Sequence, residues 1–328
     1  MERLDLCRFG SRFVFANTLI AAIGAVYLAA SALAAEPVKV IVPIPPGGGM
    51  DILSRVLASE ISRLQGPPMI VENRPGAFTM RGTADVAHAA PDGNTLLISG
   101  TSLVINPVLR KAAYDPLSFA PICQLASVPV VIAVSSKSRY SSLSDLFNVA
   151  RASPGRLTMA GIGPGSTTQL AFEKLKHDAK VDMTFVPYPG TAPAAEAVLG
   201  QHVTAYFGES TFVAAQAKAG TMRVLAVASS HRSMLLPNAP TLAELGFGNV
   251  TADIWFGVLA PAKTPQQTVD NFAALYKAAL APPVVKTKLR TLGLYPAPVC
   301  GPAFGAFLKT QLEYYRNIVR ETGFRLAQ

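Results

Sequence analysis

The sequence predicts an α/β protein of two domains, each a mostly parallel sheet flanked by helices. Three observations predict it. Apolar strand-like runs alternate with helical stripes along most of the chain, the pattern of doubly wound sheets. The chain has 328 residues, enough for two domains of ordinary size. Glycine- and hydroxyl-rich turns follow strands in both halves, and the middle of the chain carries a strand set of its own.

The composition is that of a folded globular chain, with 50% apolar and 15% charged residues. Lys and Arg number 29 against 20 Asp and Glu, a formal net charge of +9. The positive residues are dispersed and lack aromatic interleaving, so nucleic acid is the weakest class of partner. The charge is mildly favourable to anions and discriminates little further.

The first 34 residues read as a signal peptide, with a retained membrane anchor as the alternative. Arg3, Arg8 and Arg12 form a basic start, Phe13 to Leu33 an apolar stretch, and Ala32-Leu33-Ala34 an A-x-A site. Cleavage after Ala34 leaves Cys123 and Cys300 in an oxidising compartment. One disulfide or two separate buried thiols are both open.

Val38 to Leu64 opens the folded part. VKVIV is almost wholly apolar, as a strand covered on both faces should be. Leu53, Leu57, Ile61 and Leu64 then form one helical stripe, ended by Gly66, Pro67 and Pro68. Between strand and helix, Gly47, Gly48 and Gly49 leave the backbone bare, followed by Met50 and Asp51. Amide groups at such a helix start, with the helix dipole, suit a carboxylate or phosphate. The alternative is a plain flexible turn.

PMIVEN is the next strand, Gly82–Ala89 a small-residue helix, and TLLIS a strand ending at Gly100, Thr101 and Ser102. VPVVIAVSS crosses into the second domain, and Leu143–Ala150 is its first helix. The strands LTMAGI, DMTFVPY, VTAYFG and MRVLAVAS follow, separated by helices near Thr168–His177, Ala192–Leu199 and Phe212–Ala219. Their turns are GIGPGSTTQ, PYPGTAPA and GES. Ser166 or Thr167 can cap the next helix while offering a donor to an oxyanion. WFGVLAP is a returning strand, and helices at Pro265–Leu280, Val284–Leu292 and Pro302–Thr322 finish the chain. The predicted plan is a first domain from residues 35–126 and 250–328 and a second from 127–249. In open sheets of this kind, ligands collect beyond the carboxyl ends of the strands.

Several phrases together resemble one family: the Bug family, the substrate-binding proteins of tripartite tricarboxylate transporters. They are IVPIPPGGGMDILSR, VENRPGAF, APDGNTLLISG, VPYPGTAPA, MRVLAVASSHR, LPNAPTLAELG, WFGVLAPAKTP and TLGLYPA. They occur in the family's order and span Glu36 to Gln328. The resemblance implies a periplasmic two-domain binding protein, type II-like, with its ligand cleft between the domains. It implies capture of a small organic acid, whether a di- or tricarboxylate, an aromatic acid or an acidic amino acid. Membrane transporter subunits would receive it; a sensor domain of a receptor kinase is the alternative partner. The chain is expected to be a monomer.

Carried over by position, the ligand turns are Gly47–Asp51; Gly100, Thr101 and Ser102; Gly163, Gly165, Ser166, Thr167 and Gln169; and Pro187, Tyr188, Gly190 and Thr191. Gly208 and Glu209 end the fourth strand of the second domain and complete the set. These turns contain no Lys or Arg, which agrees with family members that hold carboxylates through backbone N–H groups, hydroxyls and water. Three positions depart from the family's habit: Gln169 stands for a His, Pro189 for a Lys, and Gly208 for an Asp.

A secreted hydrolase is the competing reading. Its base would have to be His88, His177, His202 or His231, and none of these falls in a predicted ligand turn. The sequence shows no nucleophile elbow, no phosphate loop, no dinucleotide fingerprint and no spacing for metal ligands. No enzyme activity, metal or cofactor is therefore expected.

Overall fold

The structure is a computed structural model that describes residues 36–326. The predicted signal segment lies outside the described residues.

Two sheets carry the fold. The first contains β1 (Val38–Val42), β2 (Met69–Asn73), β3 (Thr95–Gly100), β4 (Ala120–Val128), β10 (Ile254–Ala260) and β11 (Tyr295–Cys300), in the order β11-β4-β10-β3-β1-β2. The second contains β5 (Val130–Ser135), β6 (Leu157–Ile162), β7 (Met183–Tyr188), β8 (Ala205–Glu209) and β9 (Met222–Val227), in the order β7-β6-β8-β5-β9. The chain passes from β4 to β5 through Pro129 and returns between β9 and β10.

Both sheets are mixed, where the sequence predicted mostly parallel ones. β1 pairs in parallel with β2 and β3, and β6 with β7 and β8. β10 runs antiparallel to β3 and β4, and β5 antiparallel to β8 and β9. The parallel pairs are those joined by helical crossovers. The antiparallel strands are those adjoining the passages between sheets, where the chain enters from the other lobe instead of returning over a helix.

Alternation within β1 shows why VKVIV is apolar on both faces. Val38, Val40 and Val42 join one core cluster, while Ile41 joins the cluster on the opposite face. The first of these includes Leu53, Leu57 and Ile61 of α1 (Gly49–Arg63), all fully buried. Truncating any of them to Ala would cost about 2–5 kcal/mol. Helices α2 (Met80–Ala87) and α3 (Ser102–Leu109) follow β2 and β3. The second sheet carries α4 (Leu143–Ala152), α5 (Thr167–Ala179), α6 (Thr191–Leu199) and α7 (Ser210–Lys218). Leu146, Phe147, Phe172 and Leu175 fill one side of it, and Ala194, Val198 and Val213 the other.

After β10 come α8 (Gln266–Leu280) and α9 (Pro283–Thr291), then β11 and α10 (Pro302–Thr322). Prolines disguise β11, YPAPVC, as a loop in the sequence. It lies at the sheet edge, where a missing N–H is tolerated. Cys300 of β11 stands opposite Cys123 of β4, and the two form a disulfide. Helix α10 packs on both α3 and α5. Its Tyr314 hydroxyl donates to the Thr251 carbonyl at 2.9 Å, and its Glu321 pairs with Lys174 of α5 at 3.2 Å.

Candidate functional site

A cavity of about 350 Å³ lies where the carboxyl ends of strands from both sheets meet. From the first sheet's side come Met50, Gly100, Thr101 and Ser102; from the second come Gly163, Gly165, Ser166, Thr167 and Glu209. Its apolar wall is made by Ile44, Ile105, Ile162, Ile254 and Phe256. A larger groove of about 570 Å³ runs beside α7 and Leu235–Ala239, but none of the predicted ligand turns contributes to it.

The glycine turn before α1 is closed by its own helix. Asp51 is buried and its carboxylate accepts the Gly47 N–H at 3.0 Å. It also accepts Arg55 Nε at 3.0 Å and Asn73 Nδ2 at 2.9 Å. Burial opposes its ionisation, but the hydrogen bonds from Arg55, Gly47 and Asn73 outweigh that and hold the carboxyl below its ordinary range. The Gly47 N–H is thus committed to Asp51, and neither residue lines the cavity. Gly47 has φ +89°, the left-handed region, whereas Gly48 has an ordinary extended conformation at φ −74°. A Cβ at Gly48 would stand 2.5 Å from Ile44 Cδ1, so Gly48 leaves room for a cavity-wall side chain. Gly49 begins α1 and lies against Phe256.

The hydroxyl turns are largely self-satisfied. Thr101 Oγ1 accepts the Trp255 N–H at 3.3 Å. Ser166 caps α5 by accepting the Gln169 N–H at 3.2 Å. The Gln169 side chain turns back to accept the Gly165 N–H at 2.7 Å, bracing the loop from outside the cavity wall. Tyr188 gives its carbonyl to the Gly163 N–H at 2.9 Å and packs against the apolar cluster of the second sheet. Pro187 is exposed at the end of β7, and Gly190 is the N-cap of α6. Thr191 bonds to Glu209, whose half-buried carboxyl is pushed up by burial against that bond. Gly208 has a packing reason: a Cβ there would collide with the ring and hydroxyl of Tyr206. That hydroxyl donates to the Glu209 carbonyl at 3.1 Å.

On one side of the cavity the sequence reading expected Ser102 but missed Asn106, Arg110, Phe78 and Thr79. Within α3 and its cap, Ser102, Asn106 and Arg110 recur every four residues as a polar stripe in an apolar run. That spacing was the available signal. All three serve one strained segment, Ala77–Thr79, whose three residues have φ of +48°, +54° and +77°. Asn106 Nδ2 donates to the Phe78 carbonyl at 2.7 Å, and Thr79 Oγ1 donates to Ser102 Oγ at 3.1 Å. Phe78 is thereby held out into the cavity mouth, 58% exposed. The Arg110 guanidinium lies 4.1 Å from its ring centroid. Arg110 also donates to the Pro164 carbonyl at 3.1 Å, on the loop of the other sheet. A cation therefore lines a site expected to have none.

None of the four histidines lines the cavity, and all are exposed. Among the described residues there is no group of three His, Cys, Asp or Glu able to hold a metal. No described helix is long and apolar enough to cross a membrane.

Two mixed sheets flanked by helices, with a polar-rimmed cleft between them, define the class of periplasmic binding proteins. The sequence model of the tripartite tricarboxylate transporter receptor family, TctC, matches residues 53–324, and the chain belongs to that family. It is 32% identical to the protein BugT of Bordetella pertussis over 298 residues, covering 89% of this chain and 91% of BugT. Among solved structures, it resembles MatC of Rhodopseudomonas palustris with bound malate, at 28% identity and TM-score 0.71, covering 86% and 98% of the two chains. It also resembles an R. palustris protein with adipate, at 28% identity and TM-score 0.76, covering 89% and 98%.

Proposed function

We propose that this chain is an extracytoplasmic solute-binding protein, exported with its first 34 residues removed. It captures a small organic acid in the cleft and delivers it to a tripartite tricarboxylate-type membrane transporter. The observation that carries this reading is the cavity itself, lined from both sheets by the turns at the ends of their strands. The malate and adipate complexes of its structural relatives support a carboxylate as ligand. Residues 35–126 and 250–328 act as one lobe and residues 127–249 as the other, closing over the acid as a monomer. Contacts from both lobes give the differential affinity that closure requires. Binding rather than catalysis is the proposed role, a reading supported by the receptor family the chain belongs to and by the malate and adipate complexes of its structural relatives.

A thermal-shift screen over mono-, di- and tricarboxylates and amino acids tests this. Saturable stabilisation by at least one acid, without its chemical conversion, is expected. No stabilisation by any acid, or turnover of one, would overturn the reading.

A further inference from the structure

The cation at the cavity mouth sets the ligand's charge and shape, an inference that rests on the reading of this protein as an acid-binding protein. Arg110 is half-buried, and among the described residues no carboxylate lies within ion-pair distance of it. Its two protein acceptors are neutral: Asn106 Oδ1 at 3.1 Å and the Pro164 carbonyl at 3.1 Å. A guanidinium has five N–H donors in a planar fork, so several remain for an anion. A partly buried cation without counter-charge is costly to keep unless something anionic completes it.

The rest of the wall says what that anion is attached to. Ile44, Ile105, Ile162, Ile254 and Phe256, from both sides of the cleft, bring no donor for a second carboxylate. Much of the polar wall is engaged within the protein: Thr79 with Ser102, Asn106 with Phe78, Thr101 with Trp255, and Ser166 and Gly165 with Gln169. The other ionisable group in the wall is Glu209, which would repel a second carboxylate when ionised. Phe78 adds an aromatic face beside the guanidinium, and its left-handed backbone is fixed by Asn106. Strain of this kind persists only where surrounding contacts enforce it.

We infer that Arg110 is the specificity-determining residue of the cleft, pairing with the single carboxylate of an acid whose body is apolar, such as an aromatic monocarboxylic acid. Gly165 makes this arrangement possible. At φ +70° a side chain there would be strained, and its Cβ would stand 2.8 Å from the Arg110 guanidinium. Burial lowers the pKa of Arg110, as expected for a cation short of counter-charge, though a guanidinium stays protonated throughout the physiological range.

Calorimetric titration of the mature protein with 3-phenylpropanoate, adipate, citrate and phenylalanine tests the inference. The wild type should bind 3-phenylpropanoate at least tenfold more tightly than the other three. Arg110→Gln should lose at least tenfold for 3-phenylpropanoate while its unliganded melting temperature stays near that of the wild type. Arg110→Lys keeps the charge without the fork and should fall between them; it serves alone if the glutamine variant does not fold. Glu209→Gln should improve adipate binding by relieving repulsion. Tighter binding of citrate, adipate or phenylalanine than of 3-phenylpropanoate overturns the inference while leaving an acid-binding protein. So does an unchanged affinity in both Arg110 variants. Failure to bind any acid overturns the underlying reading as well.

Discussion

Asp51 accepts the amide hydrogen of Gly47, four residues before it, at 3.0 Å. The carboxylate that would have repelled an anionic ligand is thus turned away from the cleft and closes the glycine turn from behind. Asn73 and Arg55 complete its shell. Asp51→Ala should therefore lower stability by about 1–3 kcal/mol, with Asp51→Asn milder because it keeps an acceptor. The pH dependence has a definite sign. A carboxyl whose folded pKa is depressed contributes stability above its ordinary value and loses it as pH falls through the folded value. Acid unfolding below about pH 4 should accordingly lose part of its slope in Asp51→Asn, as read by circular dichroism.

Gly48→Val acts through Ile44. The new side chain would press on Ile44 Cδ1 and drive it toward the cavity, while the extended backbone at this position accepts a β-branched residue. We expect at least a tenfold loss of affinity, about 1.4 kcal/mol, with a smaller change in melting temperature. A Gly48→Val protein that binds as the wild type does would remove the glycine turn from the site.

Much of this was legible in the sequence, and the exceptions have physical causes. VKVIV, the α1 stripe and the strand-end turns follow from periodicity and bare glycine backbone, so several of the turns that line the cavity could be read. Arg110 was missed because Pro107 interrupts the helical pattern that carries it, leaving only the four-residue spacing of Ser102, Asn106 and Arg110 as a signal. Gln169, Gly47 and Gly208 looked like ligand contacts by position, yet their roles depend on what lies opposite: the Gly165 N–H, Asp51 and the Tyr206 ring. A turn's amide or hydroxyl is available to a ligand only where no side chain of the same turn reaches it first.

Cys123 and Cys300 pair across β4 and β11 with a sequence separation of 177. Closing so long a loop restricts the unfolded chain strongly, and the bridge should contribute about 3–5 kcal/mol. The double Cys→Ala protein should melt several degrees lower than the oxidised wild type, and reductant should lower the wild type alone. A Tm unmoved by reductant would mean that the thiols are not bridged in the purified protein.

Asp253 lies beside the chain's return to the first sheet, bonded to Ser229 Oγ at 2.8 Å, with Oδ1 buried and unpartnered among the described residues. Burial raises its pKa to about 6, against smaller opposing effects of the Ser229 bond and His231. Because the folded form holds the proton more tightly, stability should fall as pH rises from about 4 to about 6 and then level off. Asp253→Asn should remove that decline and be more stable than the wild type at pH 8, on the order of 1–3 kcal/mol. A wild-type stability that is flat across this range, with no gain in the variant, would contradict the assignment.

The central claim is that one acid binds in the cleft between the sheets, with its carboxylate at Arg110. A crystal structure of the mature protein with its tightest-binding acid tests this most directly. Density for the acid inside the 350 Å³ cavity, its carboxylate within hydrogen-bond distance of the Arg110 guanidinium, is the predicted result. Density in the groove beside α7 instead, or an acid in the cleft whose carboxylate points away from Arg110, would contradict it.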